Sequence, residues 1–313
     1  MSNLHKLAVS PHIHSGKSTS GIMLDVLIAL LPTTVAGIVL FGSRAALVLA
    51  VCVIACVGLE FLFNLLTKKQ QTVGDLSAAV TGLLLGLNLP VTIPLWQCVV
   101  GSLFAIIIVK GLFGGIGHNL VNPAITARVF MLVAFGSTVQ SSLANYPTPT
   151  GVDAVAGATP LAEGAPAYSL MDLFLGKHGG SIGEVCAAAL LLGGVYLVVR
   201  RVITWQVPVT FVGTAFLFSF LMEGYNVTAA TTAILSGGLL IGAIFMATDY
   251  VTSPPTAWGK VIFGIGCGAI TCLIRYFGSL PEGVSYAILF MNILTPYISK
   301  WTQHKVFGVG GAK

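Results

Sequence analysis

The chain is built from apolar stretches separated by short polar segments along most of its length. These stretches run from residue 22 to residue 139 and again from residue 184 to residue 303, with one longer polar region between them. An α-helix rises about 1.5 Å per residue, so roughly 20 apolar residues cross the ~30 Å hydrocarbon core of a bilayer. The pattern therefore predicts an all-α polytopic membrane protein with about ten transmembrane helices.

Composition supports a membrane location and excludes a soluble globular domain. Of the 313 residues, 56% are hydrophobic and only 8% are charged, and the mean hydropathy is +0.94. Soluble domains carry about 25% charged residues. The net charge of +5 is therefore interpreted as membrane topology, and no nucleic-acid partner is expected. Residues 1–21 are polar and lack an apolar core, so no cleavable signal peptide is predicted.

The distribution of Lys and Arg predicts the orientation of the spans. With a cytoplasmic N-terminus, eleven of the 15 basic residues fall on the cytoplasmic side, where such residues collect. This orientation puts the N-terminal segment 1–21 and the tail 304–313 in the cytoplasm, and the polar loop 140–183 outside. The four remaining basic residues are Arg44, Lys177 and Arg275 at the outer side and Arg128 within a span.

Short motifs recur in the two apolar regions and predict an internal repeat. Residues 82–86 read Gly-Leu-Leu-Leu-Gly, and residues 238–242 read Gly-Leu-Leu-Ile-Gly. We predict two five-helix repeats, residues 22–139 and 184–303, of which the second is inverted in the membrane because five is an odd number. The Gly-rich run 82–86 is interpreted as a site of close helix packing.

The third and eighth predicted spans are unusually short. They cover residues 76–89 and 233–247 and fall at corresponding positions of the two repeats. Paired short, Gly-interrupted segments of this kind are a pointer to a binding site between repeats. The alternative is a pair of tilted helices with no special role.

The polar loop carries a candidate attachment site at residues 153–159, which read Asp-Ala-Val-Ala-Gly-Ala-Thr. The run is similar to the D-x-x-[S/A/T]-G-A-T signal at which a flavin transferase esterifies FMN phosphate onto threonine. On this interpretation Thr159 carries the flavin and Asp153 is recognised by the transferase, while small residues such as Gly157 and Ala158 let an extended loop enter its cleft. Pro160 disfavours a helical conformation at Thr159 and keeps its hydroxyl on an extended segment. The alternative is an ordinary loop rich in small residues.

Polar side chains near the fifth span are candidates for ligand binding, because such groups are costly inside a membrane. Arg128 could pair with Asp249 or meet the acceptor edge of a flavin, or it could be a structural or interfacial arginine. Asn119, Asn122 and His118 could offer hydrogen bonds to a second, non-covalent flavin or to an ion, and capping the fifth helix is an equally suitable role for them.

The remaining acidic residues near the spans give weaker signals. We expect Asp25 and Glu184, which lie close to span ends, to be solvated, and Glu60 to need a partner within the membrane. No P-loop, dinucleotide fingerprint or C-x-x-C pair is present, so ATP, NAD, iron–sulfur and metal sites are not expected on this chain. No catalytic residue is predicted.

Four motifs in order give the chain a family resemblance. They are residues 9–15 (Val-Ser-Pro-His-Ile-His-Ser), 114–119 (Gly-Gly-Ile-Gly-His-Asn), 153–159 and 245–249 (Phe-Met-Ala-Thr-Asp). Together they resemble the RnfD/NqrB family of membrane subunits over nearly the whole chain. The length and the short N-terminal segment resemble the RnfD branch. Tyr250 departs from the pattern, since proline is expected after Asp249.

The resemblance implies a membrane electron-transfer subunit of an ion-translocating ferredoxin:NAD⁺ oxidoreductase, coupled to Na⁺ or H⁺ transport in a prokaryotic plasma membrane. It implies covalent FMN at Thr159 and a non-covalent riboflavin, which we expect near Asn119, Asn122 and Arg128. The implied partners are the other Rnf subunits, including a second covalent-FMN subunit and iron–sulfur membrane subunits, and the flavin transferase during maturation.

Two other functions fit an inverted-repeat fold equally well. One is a passive channel or transporter for a small solute, and the other is a scaffold that anchors redox partners. Neither has a use for a flavin on Thr159, so the flavin is the feature that discriminates between these hypotheses.

Overall fold

The structure is a computed structural model that describes residues 18–136, 168–278 and 283–303. These residues form helices and connecting loops, with no β-strand among them. In chain order the helices are α1 (Thr19–Phe41), α2 (Ser43–Leu66), α3 (Ser77–Leu87), α4 (Leu95–Gly111), α5 (Pro123–Ala134), α6 (Leu170–Leu175), α7 (Ala187–Val199), α8 (Gln206–Met222), α9 (Val227–Leu235), α10 (Leu239–Met246), α11 (Ala257–Phe277) and α12 (Val284–Thr302).

The helices begin where the sequence offers a capping side chain. Ser18, Asn122, Ser169, Asn226 and Thr256 each accept a hydrogen bond from a backbone N–H in the first turn of the helix that follows. These bonds satisfy donors that a helix start otherwise leaves unpaired. Of the two roles considered for Asn122, the cap of the fifth helix is observed, and Pro123 follows it at the first helical position, where no N–H is needed.

The outer surface of the helices is apolar, as a membrane protein requires. Val39, Ile54, Val133 and Val199 are each at least 68% exposed. α1, α2 and α11 are each long and apolar enough to cross a bilayer, and α9 with α10 would add a fourth crossing as a bent pair. The predicted all-α polytopic membrane fold is confirmed, while the count of ten spans and the inverted repeat stay predictions.

Glycines bring neighbouring helices into backbone contact. A Cβ on Gly82 of α3 would lie 2.7 Å from the carbonyl oxygen of Cys52 in α2, so the predicted close packing at residues 82–86 is confirmed. On α11, a Cβ on Gly264 or Gly268 would lie about 3 Å or less from the backbone of α8. Small residues allow such approaches in membranes, where no hydrophobic force drives helices together.

α8 and α11 run parallel, since Gly264 faces Thr210 and Gly268 faces Thr214. Parallel neighbours require the chain between them to return across the bundle, and α9 and α10 make this return. They meet at an angle of 68° around residues 236–238. The eighth span, predicted as a short, Gly-interrupted segment over residues 233–247, is divided between these two helices. Gly237 has a φ of +69°, a conformation that suits glycine and breaks the helix there.

The basic residues collect at one end of the bundle, which we call the basic end. Lateral contacts define it: Arg200 after α7 pairs with Asp25 in α1, and Thr256 before α11 bonds to Thr302 at the end of α12. The described residues predicted to be cytoplasmic all belong to this end, namely Lys68, Lys69, Lys110, Arg200, Arg201, Lys260 and Lys300. The positive charge therefore segregates along the bundle as the sequence predicts.

Candidate functional site

A cavity of about 360 Å³ lies near the basic end, and we call it the central cavity. Its walls come from the start of α1, the first half of α3, the end of α4, residues 116–124, the end of α7 and residues 245–251. Elements from both predicted repeats therefore enclose it. The wall is mainly apolar, with Ile22, Met23, Val80, Leu84 and Phe245 among its side chains.

Two asparagines predicted as ligand-binding residues line this cavity. Asn119 is 9% exposed, and its side-chain oxygen has no hydrogen-bond partner among the described residues. Asn122 uses its oxygen to cap α5 and donates its amide to the carbonyl of Met246 at 3.3 Å. Buried polar atoms are almost always paired, so the Asn119 oxygen is the wall group best placed to receive a ligand donor.

Residues 248–251 form the part of the wall that follows α10. Asp249 accepts a hydrogen bond from Thr252 at 3.2 Å, and burial raises the pKa of its carboxyl above the ordinary value. Tyr250 donates its hydroxyl to the carbonyl of Val202 in the loop after α7. The tyrosine that replaces the expected proline therefore ties two loops together at the edge of the cavity.

Arg128 does not line the central cavity, and its place beside a flavin stays a prediction. It is 4% exposed and lies in a buried cluster next to it. Its guanidinium donates to the carboxylate of Glu184 at 3.0 Å and to the side-chain oxygen of Asn88 at 2.6 Å. The suggested pairing with Asp249 is replaced by this pair, so the structural alternative for Arg128 is the one observed.

Glu184 is buried, and the expectation of a solvated carboxylate there is also wrong. It is 2% exposed and accepts hydrogen bonds from the hydroxyl and backbone N–H of Ser181 as well as from Arg128. The loop before α7 brings it inward, because Gly183 donates its N–H to the carbonyl of Leu87 at 2.7 Å. A Cβ on Gly183 would lie 2.7 Å from the Leu87 side chain, so glycine permits this approach.

A second buried ion pair joins α2 and α4. Lys110 donates from its ammonium to Glu60 at 2.7 Å and to the Ser77 hydroxyl at 2.5 Å. The partner of Glu60, which the sequence did not reveal, is thus Lys110 together with the Thr72 hydroxyl at 2.7 Å. Lys110 was counted among the basic residues of the cytoplasmic side, and the structure shows that it is only 4% exposed and lines the central cavity.

Asp25 is partly buried at the edge of the bundle. It accepts a hydrogen bond from the Tyr196 hydroxyl at 3.0 Å and pairs with Arg200 at 3.2 Å. Its side chain is 14% exposed, so the expectation of a fully solvated carboxylate is wrong. The pair fastens the start of α1 to the end of α7.

The predicted flavin-attachment residues Asp153, Gly157, Ala158 and Thr159 lie outside the described residues. The same is true of the N-terminal motif at residues 9–15. The geometry of the site therefore concerns the central cavity and the two buried ion pairs beside it.

Fold and site together define a polytopic helical membrane protein with a ligand-sized cavity between its helices and buried charges beside that cavity. Comparison with known proteins makes the assignment more specific. The model of the NQR2, RnfD, RnfE family matches residues 6–308, and the chain belongs to this family. The predicted RnfD/NqrB resemblance is confirmed.

Curated relatives match the chain over almost its full length. The D subunit of the Na⁺-translocating ferredoxin:NAD⁺ oxidoreductase complex of Acetobacterium woodii is 45% identical, over 96% of this chain and 94% of the relative. The D subunit of the proton-translocating complex of Clostridium ljungdahlii is 40% identical, over 98% and 97%. The D subunit of the ion-translocating oxidoreductase complex of Stutzerimonas stutzeri is 37% identical, over 93% and 92%.

Proposed function

We propose that the chain is the D subunit of an ion-translocating ferredoxin:NAD⁺ oxidoreductase complex and transfers electrons within the membrane. The full-length similarity to subunits of that name carries the proposal. The relatives differ in the ion that their names specify, so Na⁺ and H⁺ are both open for this chain. The partners in this proposal are the other subunits of the complex, including iron–sulfur membrane subunits and a second subunit with covalent FMN.

We further propose that the flavin transferase attaches FMN to Thr159 on the outer side of the membrane. The motif at residues 153–159 supports this, as does the charge segregation, which puts the basic end in the cytoplasm by the positive-inside rule. α5 ends at the end of the bundle opposite the basic end, where Phe135 contacts Trp96 at the start of α4. That end faces outward in this orientation.

Replacing Thr159 with alanine is expected to abolish covalent flavin, because no other hydroxyl would stand at the end of the motif. The wild-type chain, purified from a host with the transferase and denatured in SDS, should fluoresce in the gel, and the variant should be dark. Thr150→Ala, in the same loop, is the matched control and should stay fluorescent. A wild-type band without fluorescence would contradict the proposal and would favour the channel and scaffold hypotheses instead.

The central cavity fits a second, non-covalent flavin such as riboflavin. Its volume lies within the range of about 300–1,000 Å³ typical of small-molecule sites, and its apolar walls suit the ring system. The unpaired oxygen of Asn119 could accept from a ring N–H or a ribityl hydroxyl. Lys110 and Ser77 offer polar contacts at another part of the wall. When bound, the flavin would accept and pass on electrons.

Asn119→Leu is expected to weaken retention of this flavin without weakening the fold. Losing a buried ligand hydrogen bond costs about 1–3 kcal/mol, or roughly 5–150-fold in affinity. The unliganded protein should be unchanged or slightly more stable, since an unpaired buried oxygen is removed. Flavin extracted from SDS-denatured protein, separated from covalent FMN, measures retention. Equal amounts of free flavin in wild type and variant would exclude Asn119 from the site.

A further inference from the structure

Lys110 lies between two cavities. On one side it lines the central cavity, together with Ser77. On the other side it lines a second cavity of about 230 Å³, which we call the side cavity, together with Glu60, Asn64 and Thr72. The exposed residues Lys69 and Gln70 belong to the wall of the side cavity, so it lies at the surface of the basic end. A buried ion pair thus lies between the proposed ligand site and a pocket at the surface that several polar side chains line.

Each member of the pair keeps one hydrogen-bonding position unused among the described residues. The ammonium of Lys110 donates to Glu60 and Ser77, and its third N–H has no partner among the described residues. The Oε1 atom of Glu60 accepts from Lys110 and Thr72, whereas its buried Oε2 atom has no partner in the described part of the chain. A purely structural ion pair in a low-dielectric interior gains from saturating its oxygens, so the unpaired Oε2 atom beside a cavity calls for another role.

We propose that Glu60 and Lys110 form a proton path from the side cavity to the ligand of the central cavity. This inference rests on the proposed function, because it needs a ligand that takes up protons together with electrons. The electrons come from the redox partners of the complex, and this path supplies only protons.

Each proton transfer leaves the pair as it began. Hydronium that enters the side cavity from the solvent gives a proton to Glu60 at Oε2 and becomes water, and Lys110 gives a proton from Nζ to the ligand. A half-turn about the last side-chain bond of Glu60 then brings its protonated oxygen to Lys110, which takes the proton back. The net change is one proton moved from the side cavity to the ligand. Other ionisable groups near the pair are Cys56, Lys69 and Asp75, which bonds to Ser77.

The first test does not depend on a bound flavin. Dicyclohexylcarbodiimide reacts with protonated carboxyl groups in apolar surroundings, and peptide mass spectrometry locates the product. The proposal expects modification of Glu60 in the purified complex, because this carboxyl must visit its protonated form next to a cavity. Loss of the product in Glu60→Gln confirms the assignment. An unmodified Glu60 in a preparation whose other carboxyls react would overturn proton entry at this residue.

The second test measures delivery to the ligand. Glu60→Gln keeps the size and the hydrogen bond to Lys110 but cannot release a proton, so flavin reduction in stopped-flow should slow by roughly 100-fold, as for loss of general acid catalysis. External azide or formate should restore much of the rate. Glu223→Gln, on the far side of the bundle, is the matched control and should behave as wild type.

The outcomes separate the two proposals. A wild-type complex with no free flavin contradicts the cavity ligand, while carbodiimide labelling still reports on Glu60. A Glu60→Gln complex that keeps its flavin and reduces it at the wild-type rate overturns the proton path and leaves the proposed function intact. A slow variant that neither azide nor formate restores assigns Glu60 a structural role and also overturns the path.

Discussion

Arg128→Met is expected to destabilise the protein by about 3–5 kcal/mol, because it leaves the carboxylate of Glu184 buried without its cation. The charge is enclosed on several sides. Glu184 is 2% exposed, and a Cβ on Gly238 would lie only 3.1 Å from both its Oε1 atom and the Arg128 guanidinium. Water therefore has little room to replace the lost partner. Thermal unfolding in detergent, followed by size-exclusion chromatography, measures the loss.

The double variant Arg128→Met, Glu184→Gln is the matched control. Removing both charges is expected to recover much of the lost stability, since a buried pair often contributes little net free energy over an uncharged replacement. A double-mutant cycle then gives the coupling between the two side chains. Covalent flavin on Thr159, if the proposed attachment is correct, should be unaffected in both variants, because neither substitution changes the proposed attachment motif at residues 153–159. A single variant as stable as wild type would mean that the carboxylate is solvated after all.

The Arg128 cluster shows why the sequence could predict an important residue but not its role. A cation inside an apolar span indicates a partner, and the sequence offered Asp249 as a candidate. The observed partner is placed by a loop that folds back onto α3 through the backbone bond between Gly183 and Leu87. Such a contact between distant segments leaves no periodic signal, so Glu184 was expected at the surface instead.

Features that depend on local chemistry were predictable. Asn122 followed by Pro123 gives the start of α5, and the small residues at 82–86 give the close approach of α3 to α2. Both follow from the shape and donors of residues that are adjacent in sequence. The glycines indicated an interrupted segment, but the bend between α9 and α10 could not be predicted, because hydropathy does not distinguish a straight span from two bent halves with the same apolar residues.

The ion pair between Glu60 and Lys110 could be predicted from the sequence only in part. A carboxylate within α2 indicates that a cation must be near, but Lys110 resembled an ordinary charge at the cytoplasmic end of α4. Its burial results from the packing of α4 beside α2, where a Cβ on Gly111 would lie 2.9 Å from the ring of Phe63. The distribution of basic residues placed Lys110 at the basic end of the bundle, where it lies. It could not predict that the side chain is buried, because the positive-inside rule concerns the side of the membrane and not the depth of a residue within the protein.

Gly193→Ala is expected to disrupt the contact between α1 and α7, with a loss of about 3 kcal/mol at the upper end of overpacking effects. A Cβ at this position would overlap the carbonyl oxygen of Ala29 and would lie 2.9 Å from the ring of Phe245. The clash with backbone cannot be relieved by a rotamer change, so the helices must separate. Thermal unfolding in detergent should register the loss directly.

The same variant should also weaken ligand retention, because both helices form part of the central cavity. α1 contributes Met23 and Val26, α7 contributes Leu197, and Phe245 lies against Gly193 itself.

Gly213→Ala is the matched control, since an added Cβ on that α8 position meets nothing within 4 Å. It should be neutral or slightly stabilising, by up to about 1 kcal/mol from helix propensity. If the two alanine variants unfold at the same temperature and retain equal flavin, the close contact between α1 and α7 does not hold the cavity together. A loss confined to Gly193→Ala would tie the shape of the cavity to the packing of α1 against α7.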